Sequence, residues 1–196
     1  MKYLFATTNK AKIKYYANKL QENGIDIVTL EDLNITIDVE ETGNDPVENA
    51  LIKAETYFNL TKLPTIAIDD GLYLNDIPNN IQPGTFVRRV NGKRLNDQEM
   101  LDYYIGLVNK YGHDGYLDGY FLKGIAIFYE DNYYTYEYKS DTTLINKTSS
   151  KFIEGYPLSS LQYHKEKESN IKENKQKEIV GFIMDTISLI ENKNVT

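Results

Sequence analysis

The sequence contains no cysteine, and this absence excludes several kinds of chemistry. Disulfide bonds, thiolate nucleophiles and cysteine-ligated zinc sites are all ruled out. Histidine is almost as scarce: His113 and His164 stand far apart among polar residues, without the His-x-x-His spacing of zinc sites. No Gly-x-Ser-x-Gly segment is present to carry a serine nucleophile. We therefore expect neither a zinc enzyme nor covalent catalysis.

Long apolar runs and an excess of positive charge are also missing. No segment approaches the ~20 consecutive apolar residues that a membrane helix needs, and the N-terminus lacks a signal-peptide pattern. The formal charge of −7 disfavours non-specific binding to duplex DNA or to anionic membranes. These features predict a cytoplasmic protein whose partners include no nucleic acid and no membrane.

The hydrophobic pattern is that of a mixed α/β protein. The predicted strands are residues 3–7, 26–30, 65–69, 124–129 and 133–138, and the predicted helices are residues 10–22, 46–60, 97–111 and 172–192. Tyrosines recur through residues 133–138, as is typical of a strand with one buried and one solvent-exposed face. We prefer this interpretation to a surface on which nucleic-acid bases stack. Because no repeat or linker interrupts the pattern, we expect a single domain over residues 1–196.

The most informative segment is residues 40–54, Glu-Glu-Thr-Gly-Asn-Asp-Pro-Val-Glu-Asn-Ala-Leu-Ile-Lys-Ala. It predicts a turn that leads into a helix. Gly43 would supply a flexible bend, Asn44 or Asp45 would cap the helix, and Pro46 would take the first helical position. Glu48 lies three residues after Asp45, as in a capping box.

The charged side chains of this segment suit a polyphosphate that carries a hard cation. Glu41 would lie just before the helix, and Asn49 and Lys53 share one helical face at i, i+4. Carboxylate oxygens bind Mg²⁺, whereas ammonium groups bind phosphate. A solvated helix start with ordinary surface charge is the alternative that this segment alone leaves open.

A second segment, residues 1–12, predicts a short strand that breaks into a polar turn before a helix. This arrangement presents backbone N–H groups and the helix dipole to an anion. Thr7 and Asn9 would add side-chain donors, and Lys12 would add a positive charge. A Gly-rich Walker loop is absent, so the segment is not a P-loop.

The third candidate segment is a buried strand that ends in a carboxylate. Hydrolysis of a phosphoanhydride needs a metal, cations that hold the phosphates, and a carboxylate that orients or deprotonates water. Asp69 follows the apolar residues 64–68, and strand ends commonly carry site residues in α/β folds. Glu41 and Asp69 are therefore carboxylates on separate segments, as a shared Mg²⁺ site requires.

Together these segments resemble one family. Ala6-Thr7-x-Asn9-x-x-Lys12 is followed by Glu40-Glu41-Thr42-Gly43, then by Glu48-Asn49-Ala50-Leu51-Ile52-Lys53-Ala54, and then by Ile66-Ala67-x-Asp69-x-Gly71-Leu72. Pro83-Gly84-x-Phe86-x-x-Arg89 matches a further family segment in part. Across roughly residues 3–90 the order and spacing are similar to those of the inosine triphosphate pyrophosphatase family. Its members hydrolyse non-standard purine nucleoside triphosphates to the monophosphate and diphosphate.

The resemblance implies an α/β fold of two lobes around a long central mixed β-sheet flanked by helices, with a cleft between the lobes. It also implies a nucleoside triphosphate as substrate, Mg²⁺ as cofactor and a homodimer. The implied metal ligands are Glu41 and Asp69, the implied catalytic residues are Lys53, Asp69 and Asp70, and the implied substrate-binding residues are Thr7, Asn9, Lys12, Asn49, Arg89 and Tyr156.

The C-terminal half departs from the family pattern. Residues 152–157, Phe-Ile-Glu-Gly-Tyr-Pro, lack the aspartate of the Gly-Phe-Gly-Tyr-Asp-Pro segment that packs on the base. The Ser-His-Arg segment that reads a six-keto purine should fall near residues 172–174, which are Lys-Glu-Asn. His164 is a candidate replacement for that histidine. The family usually has two adjacent acids in the third segment, and Ile68 replaces the first of them. Consecutive residues on a strand point to opposite faces, so Asp69 and Asp70 can both take part in catalysis only if the chain turns at Gly71.

These departures leave two alternatives open. The chain could be a non-catalytic nucleotide-binding or regulatory relative, or it could perform the same reaction on a pyrimidine or modified nucleotide. The mixed-charge residues 165–177 are predicted to form a surface loop and helix start rather than a binding tail.

Overall fold

The computed structural model describes residues 1–149, 153–163 and 169–193. The strands are β1 (Lys2–Phe5), β2 (Asp26–Thr29), β3 (Thr65–Leu74), β4 (Arg89–Val90), β5 (Lys93–Arg94), β6 (Tyr116–Tyr129) and β7 (Asn132–Ile145). The helices are α1 (Lys10–Lys12), α2 (Asn18–Glu22), α3 (Pro46–Thr61), α4 (Asp97–Tyr111) and α5 (Ser169–Lys193). A π-helical segment, Ile13–Ala17, joins α1 to α2, and 3₁₀ turns lie at Asn79–Ile81 and Pro157–Ser160.

The main sheet has the strand order β2-β1-β3-β6-β7. Strand β1 runs parallel to β2 and to β3, with Phe5 opposite Thr29 on one side and Ile66 on the other. Parallel neighbours point their carboxyl ends to the same edge, which brings the residues after β1 close to the middle of β3. Strands β6 and β7 are joined by a two-residue turn in which Glu130 has a positive φ.

The chain divides into two compact units. The first contains Met1–Asp69, Gly124–Tyr138 and Lys167–Thr196, and the second contains Asp70–Lys123 and Lys139–Glu166. No helix in the described part of the chain is long and apolar enough to cross a membrane.

In the first unit, apolar side chains from both faces of the sheet are buried in two clusters. One cluster joins β1, β3 and β6 to the π-helical segment, α2 and α5, and it includes Tyr3, Ile66, Ile68, Ile125 and Ile183. The other cluster lies under α3 and consists largely of small side chains: Ala6, Ala50, Ala54, Ala67 and Ala126. Because alanines fill this layer, α3 can approach the strands more closely than a helix with large side chains could.

The second unit has a core of its own. Leu72, Leu74 and Leu117 from the strands pack against Tyr104 and Val108 of α4. Helix α4 begins with a complete capping box, because Asn96 accepts a hydrogen bond from the Glu99 N–H while the Glu99 carboxylate accepts one from the Asn96 N–H.

All nine predicted helices and strands are confirmed in type, and the differences lie in their lengths. Strand β3 is five residues longer than predicted, and β6 begins eight residues before the predicted strand. The apolar alternation continues through Leu72 and Leu74 in β3, so tertiary packing extends the strand. The predicted helix over 10–22 is helical throughout, but its middle turn is π-helical, a feature without a signal in the residue pattern.

The chain does not turn at Gly71, so the condition under which Asp70 could act together with Asp69 is not met. Strand β3 passes through Gly71 without a break, so consecutive side chains alternate between the two faces of the sheet. Ile68 belongs to the buried cluster that faces α5, and Asp69 therefore points to the opposite face. Asp70 lies on the same face of the strand as Ile68 and does not share a face with Asp69.

The tyrosines of β7 confirm the prediction of one buried and one wet face. Tyr134, Tyr136 and Tyr138 are half-buried against the cluster that contains α5, whereas Tyr133 is exposed. Tyr136 stacks on Phe182 of α5 with ring centroids 5.0 Å apart, and its hydroxyl donates a hydrogen bond to Glu178. These aromatic side chains are structural contacts between β7 and α5.

At Gly124 of β6, the first turn of α3 lies directly against the sheet. A Cβ at this position would lie 2.1 Å from the Pro46 carbonyl oxygen and 2.3 Å from the Val47 nitrogen, both in the first turn of α3. Backbone atoms cannot rotate away as the tip of a side chain can. Any residue larger than glycine must therefore push the start of α3 away from β6.

We predict that Gly124→Ala lowers the free energy of unfolding by about 1–3 kcal/mol, because the new methyl group forces α3 off the sheet. Gly181→Ala in α5 is the matched control, since nothing lies within 4 Å of its added Cβ. That control should raise the stability by about 0.5–1 kcal/mol, the usual gain for alanine over glycine inside a helix. Urea denaturation measures both values, and equal stability of the two variants would contradict the close approach.

Candidate active site

Lys53 of α3 lies between two carboxylates. Its Nζ is 2.6 Å from Glu41 Oε1 and 3.7 Å from Asp69 Oδ1. The Lys53 and Asp69 side chains are 14% and 10% exposed, and that of Glu41 is 31% exposed. The structure thus brings together three side chains that lie on a loop, a helix and a strand. Their partial burial strengthens the electrostatic interactions relative to those of a surface ion pair.

Asn49 orients Asp69 from the preceding turn of α3. It is buried, and its Nδ2 donates a hydrogen bond of 3.3 Å to Asp69 Oδ2. Its Oδ1 accepts a hydrogen bond of 2.8 Å from the Gly43 N–H. One side chain therefore connects the loop that carries Glu41 to the strand that carries Asp69. The i, i+4 spacing of Asn49 and Lys53 gives both side chains the same direction, as the sequence predicted.

The role of Gly43 differs from the flexible bend that the sequence suggested. A Cβ on Gly43 would lie 2.7 Å from Asn49 Oδ1 and 2.7 Å from Glu48 Cβ. Glycine is needed here because the loop passes directly against the start of α3, and no positive φ is involved.

The start of α3 is fixed by local hydrogen bonds. Asp45 is the N-cap, and its carboxylate accepts bonds of 2.8 Å and 2.9 Å from the N–H groups of Val47 and Glu48. The Glu48 carboxylate accepts a bond from the Asn44 N–H, one residue earlier than a standard capping box would place it. Of the two predicted caps, the structure therefore uses Asp45.

Tyr57 anchors the loop that leads to Glu41. Its hydroxyl donates a hydrogen bond of 2.6 Å to the Ile37 carbonyl. Burial, followed by the negative charges of Asp38 and Glu41, raises the pKa of Tyr57. The hydroxyl therefore keeps its proton at neutral pH and remains a donor. This contact holds the loop against α3 at a point four residues before Glu41.

The N-terminal residues lie at the carboxyl end of β1. Asn9 is the N-cap of α1, and its Oδ1 accepts bonds of 2.9 Å and 3.3 Å from the N–H groups of Ala11 and Lys12. Thr7 Oγ1 accepts a bond of 3.1 Å from the Asn9 N–H. These bonds use the acceptor oxygens of both side chains. The hydroxyl hydrogen of Thr7 and the amide hydrogens of Asn9 are not consumed by them.

Lys12 is buried, and its Nζ donates a hydrogen bond of 2.8 Å to the Ile68 carbonyl. The ammonium group is therefore held at β3, on the residue that precedes Asp69. A lysine so enclosed on the first helical turn is expected to act as a fixed positive charge rather than as a mobile surface group.

The second unit contains the other predicted residues. Asp70 forms an ion pair with Lys123 of β6, whose side chain is 8% exposed. Arg89 lies on the exposed strand β4 and lines a groove of about 770 Å³ together with Phe86, Tyr103 and Lys110. Tyr156 is half-buried just before a 3₁₀ turn.

Lys123 and Arg88 were not predicted from the sequence. Lys123 has a buried ammonium that needs a partner, but an isolated lysine in a strand pattern gives no such signal. Arg88 bonds to Asp97 at 2.6 Å and to the Gly155 carbonyl at 3.4 Å, while the Gly155 N–H donates to Asp97 at 3.2 Å. This network holds the segment next to Tyr156 against α4. Only its neighbour Arg89 matched a known pattern.

Several predicted positions fall outside the described residues. His164, Phe152 and residues 165–168 belong to this group, as do the side chains of residues 169–173; the stretch 165–177 was predicted as a surface loop and helix start. Asn174, the last residue of the expected base-reading segment, is exposed on α5.

The metal-binding capacity of the cluster depends on two carboxylates. Among residues 1–149, 153–163 and 169–193, no group of three or more acidic or histidine side chains is placed to hold a metal ion. Glu41 and Asp69 offer hard oxygen donors that both lie within 3.7 Å of Lys53 Nζ, and Asn49 fixes the orientation of Asp69. Mg²⁺ is commonly bound by one or two carboxylates together with water and phosphate oxygens, so the donor set fits this ion when a phosphate ligand completes it.

A family model described as the Ham1 family matches residues 3–178. The chain belongs to the Ham1 family. A dITP/XTP pyrophosphatase of Leptospira interrogans is 42% identical over 92 residues, which cover 47% of this chain and 46% of the relative. The enzyme of the same description from Photobacterium profundum is 38% identical over 101 residues, or 52% and 50% of the two chains. The chain thus spans about half the length of the curated relatives that it matches.

Solved structures of Ham1 proteins share the fold. A HAM1 protein from Coxiella burnetii has a TM-score of 0.68 at 21% identity, with 98% of this chain and 99% of the other covered. The Staphylococcus aureus Ham1 protein has a TM-score of 0.69 at 20% identity, with 98% and 100% covered. The predicted family and the predicted α/β class with a mixed sheet are both confirmed.

We predict that Asn49→Asp destabilises this Ham1-family protein by about 1–3 kcal/mol at neutral pH, since it replaces a donor to Asp69 with a second buried carboxylate. The pKa of the new carboxyl should be raised in the folded state. Its cost should therefore be small below about pH 4 and should grow as the pH rises.

Urea denaturation of Asn49→Asp and the wild type at acidic and neutral pH measures this difference. Asn59→Asp, at an exposed position of the same helix, is the control and should show little pH dependence. A stability difference for Asn49→Asp that stays constant with pH would contradict the contact with Asp69.

Proposed function

We propose that this protein hydrolyses a nucleoside triphosphate to the nucleoside monophosphate and diphosphate in the presence of Mg²⁺. The observation that carries the proposal is the position of Lys53 Nζ, within 3.7 Å of both Glu41 and Asp69. A partly buried ammonium between two carboxylates supplies the opposite charges that a metal–polyphosphate substrate requires. The names of the curated relatives support a nucleoside triphosphate as the substrate.

Phosphate binding is assigned to the cationic and polar groups around β1 and α3. Lys12 is already oriented by the Ile68 carbonyl, so it can meet a phosphate without first losing side-chain entropy. Lys53 supplies a second positive charge, and Thr7 and Asn9 supply hydrogen-bond donors. Glu41 and Asp69 would hold the metal, which neutralises negative charge on the phosphates when it is bound.

Asp69 is the residue that accepts the proton from the attacking water. A bond forms between the water oxygen and phosphorus, the α–β anhydride bond breaks, and diphosphate leaves with the electron pair. Asn49 holds one oxygen of Asp69 with an N–H group, which keeps the carboxylate in a single orientation. Asp70 is assigned a supporting role only, because it is paired with Lys123 and lies on the other face of β3.

For the base of the substrate, we propose a class of bases rather than a single one. The activity named for the relatives, dITP/XTP pyrophosphatase, supports a deaminated purine, and Tyr156 and Arg89 remain the proposed substrate contacts of the second unit. The chain has Lys-Glu-Asn where a six-keto purine would meet Ser-His-Arg. Since unpaired polar edges give strong discrimination, we expect weaker selection for inosine or xanthosine over adenosine nucleotides than in other members. The homodimer and the cytoplasmic location remain part of the same proposal.

A diphosphate-release screen tests the function directly. Standard, deaminated and modified nucleoside triphosphates are incubated with the protein and Mg²⁺, and both products are measured. Diphosphate with the matching monophosphate supports the proposal, and the preferred base identifies the substrate. Nucleotide binding without any magnesium-dependent product would favour a non-catalytic relative instead.

We predict that Glu41→Gln lowers turnover by orders of magnitude while the thermal midpoint in the absence of metal hardly changes. The substitution removes an anionic ligand but keeps the size of the side chain, and the lost ion pair is partly exposed. Glu22→Gln is the control, since Glu22 pairs with Lys19 at 2.8 Å on the surface. Unaltered turnover of Glu41→Gln at limiting Mg²⁺ would remove Glu41 from the metal site.

We predict opposite effects for the two neighbouring acids of β3. Asp69→Asn should abolish turnover with little loss of stability, because the amide retains the size of the carboxylate. Asp70→Asn should reduce turnover less, and should lower the unfolding free energy by about 1–3 kcal/mol because it leaves the buried Lys123 ammonium without its charge partner. Steady-state kinetics and urea denaturation on both variants separate these effects. If Asp70→Asn were instead the variant without turnover, Asp70 rather than Asp69 would be the catalytic carboxylate.

A further inference from the structure

The position of Lys53 has a consequence for the order in which ligands bind. The nitrogen lies 2.6 Å from one proposed metal ligand, Glu41, and 3.7 Å from the other, Asp69. An ammonium at these distances already provides the positive charge that would otherwise draw a cation to the pair. Lys53 and a divalent ion would therefore compete for the same two carboxylates.

The charge balance near the cluster strengthens this competition. Lys12 places a second ammonium on the Ile68 carbonyl, next to Asp69 in the chain. Two carboxylates and two ammonium groups cancel formally, so these four groups give little net attraction for a cation. Asp38 and Glu40 are further acids on the same loop, whereas the ion pairs of Lys53 are those with Glu41 and Asp69.

The cluster also provides few ligand atoms for a metal ion. The Oδ1 of the buried Asn49 accepts the 2.8 Å bond from Gly43 and is directed at that loop backbone. Within the described ranges, no third acidic or histidine side chain completes a metal-binding group with Glu41 and Asp69. A divalent ion held by this protein alone would depend on two carboxylates and water, and Mg²⁺ loses its water reluctantly.

We propose that Lys53 keeps the metal site closed in the nucleotide-free protein, and that the site opens only when a triphosphate binds together with the metal. This rests on the proposed function. A triphosphate supplies both the missing metal ligands and an anion that attracts the Lys53 ammonium away from Glu41 and Asp69. Lys53 thus exchanges a carboxylate contact for a phosphate contact as the complex binds.

Binding of Mn²⁺ to the nucleotide-free protein tests the proposal, with the free ion measured by electron paramagnetic resonance. The wild type should bind Mn²⁺ weakly. Lys53→Met should bind it at least about tenfold more tightly, since a competing charge is removed from two partly buried carboxylates. Lys53→Arg keeps the charge and should bind as weakly as the wild type. Lys19→Met, which removes a surface lysine that also pairs with a glutamate, should not change the affinity.

The added affinity must come from the two carboxylates. Introducing Glu41→Gln into Lys53→Met should therefore return Mn²⁺ binding to the level of the wild type or below. Equal affinity of the wild type and Lys53→Met, or tighter binding by the wild type, would overturn the proposal. Lys53→Gln serves the same purpose if circular dichroism shows that the Met variant is unfolded.

This experiment is independent of turnover. If no nucleotide is hydrolysed but Lys53→Met gains affinity for Mn²⁺, the proposed function fails and the competition stands. If diphosphate is released but the affinity of Lys53→Met is unchanged, the function stands and the competition fails.

Discussion

The close contact between α3 and the sheet is the constraint on which the proposed site depends. Ala50 and Ala54 of α3 pack on Ala67 and Ala126 of the strands, and Gly124 allows the first turn of the helix to touch β6. Asn49 and Lys53 each precede one of the two helix alanines. Because the alanine stripe brings this part of α3 down onto β3, the polar side chains beside it reach Asp69, which larger core residues would prevent.

This packing explains why oppositely charged groups tolerate partial burial. Each member of the cluster has a partner on a different element: Lys53 with Glu41 and Asp69, Asn49 with Asp69 and Gly43. A buried charge without such a partner would cost several kcal/mol, of the order measured when one half of a buried pair is removed. The hydrogen bonds of Asn49 therefore fix the orientation of Asp69, whereas the Lys53 ammonium is the group that we propose exchanges its partners when a ligand binds.

The sequence predicted the part of this cluster that lies on α3, because the signals for that part are local. An N-cap at Asp45 and an i, i+4 pair at Asn49 and Lys53 depend on spacing within one helix, and spacing is visible in a sequence. The ion pair of Asp70 with Lys123 joins residues 53 positions apart, so it could not be read from the pattern. The full length of β3 was missed for the same reason, since packing of Leu72 and Leu74 against α4 extends the strand.

The unusual residues of β3 are consistent with a retained site once the two faces of the strand are considered separately. Ile68 lies in the core beneath α5, where an acid would be buried in an apolar cluster. Asp70 lies on the same face of the strand and is acceptable there because Lys123 neutralises it. Asp69 alone points to the face of Asn49 and Lys53. The departures at positions 68 and 70 therefore fall on the face that the cluster does not use, and they are no argument for lost catalysis.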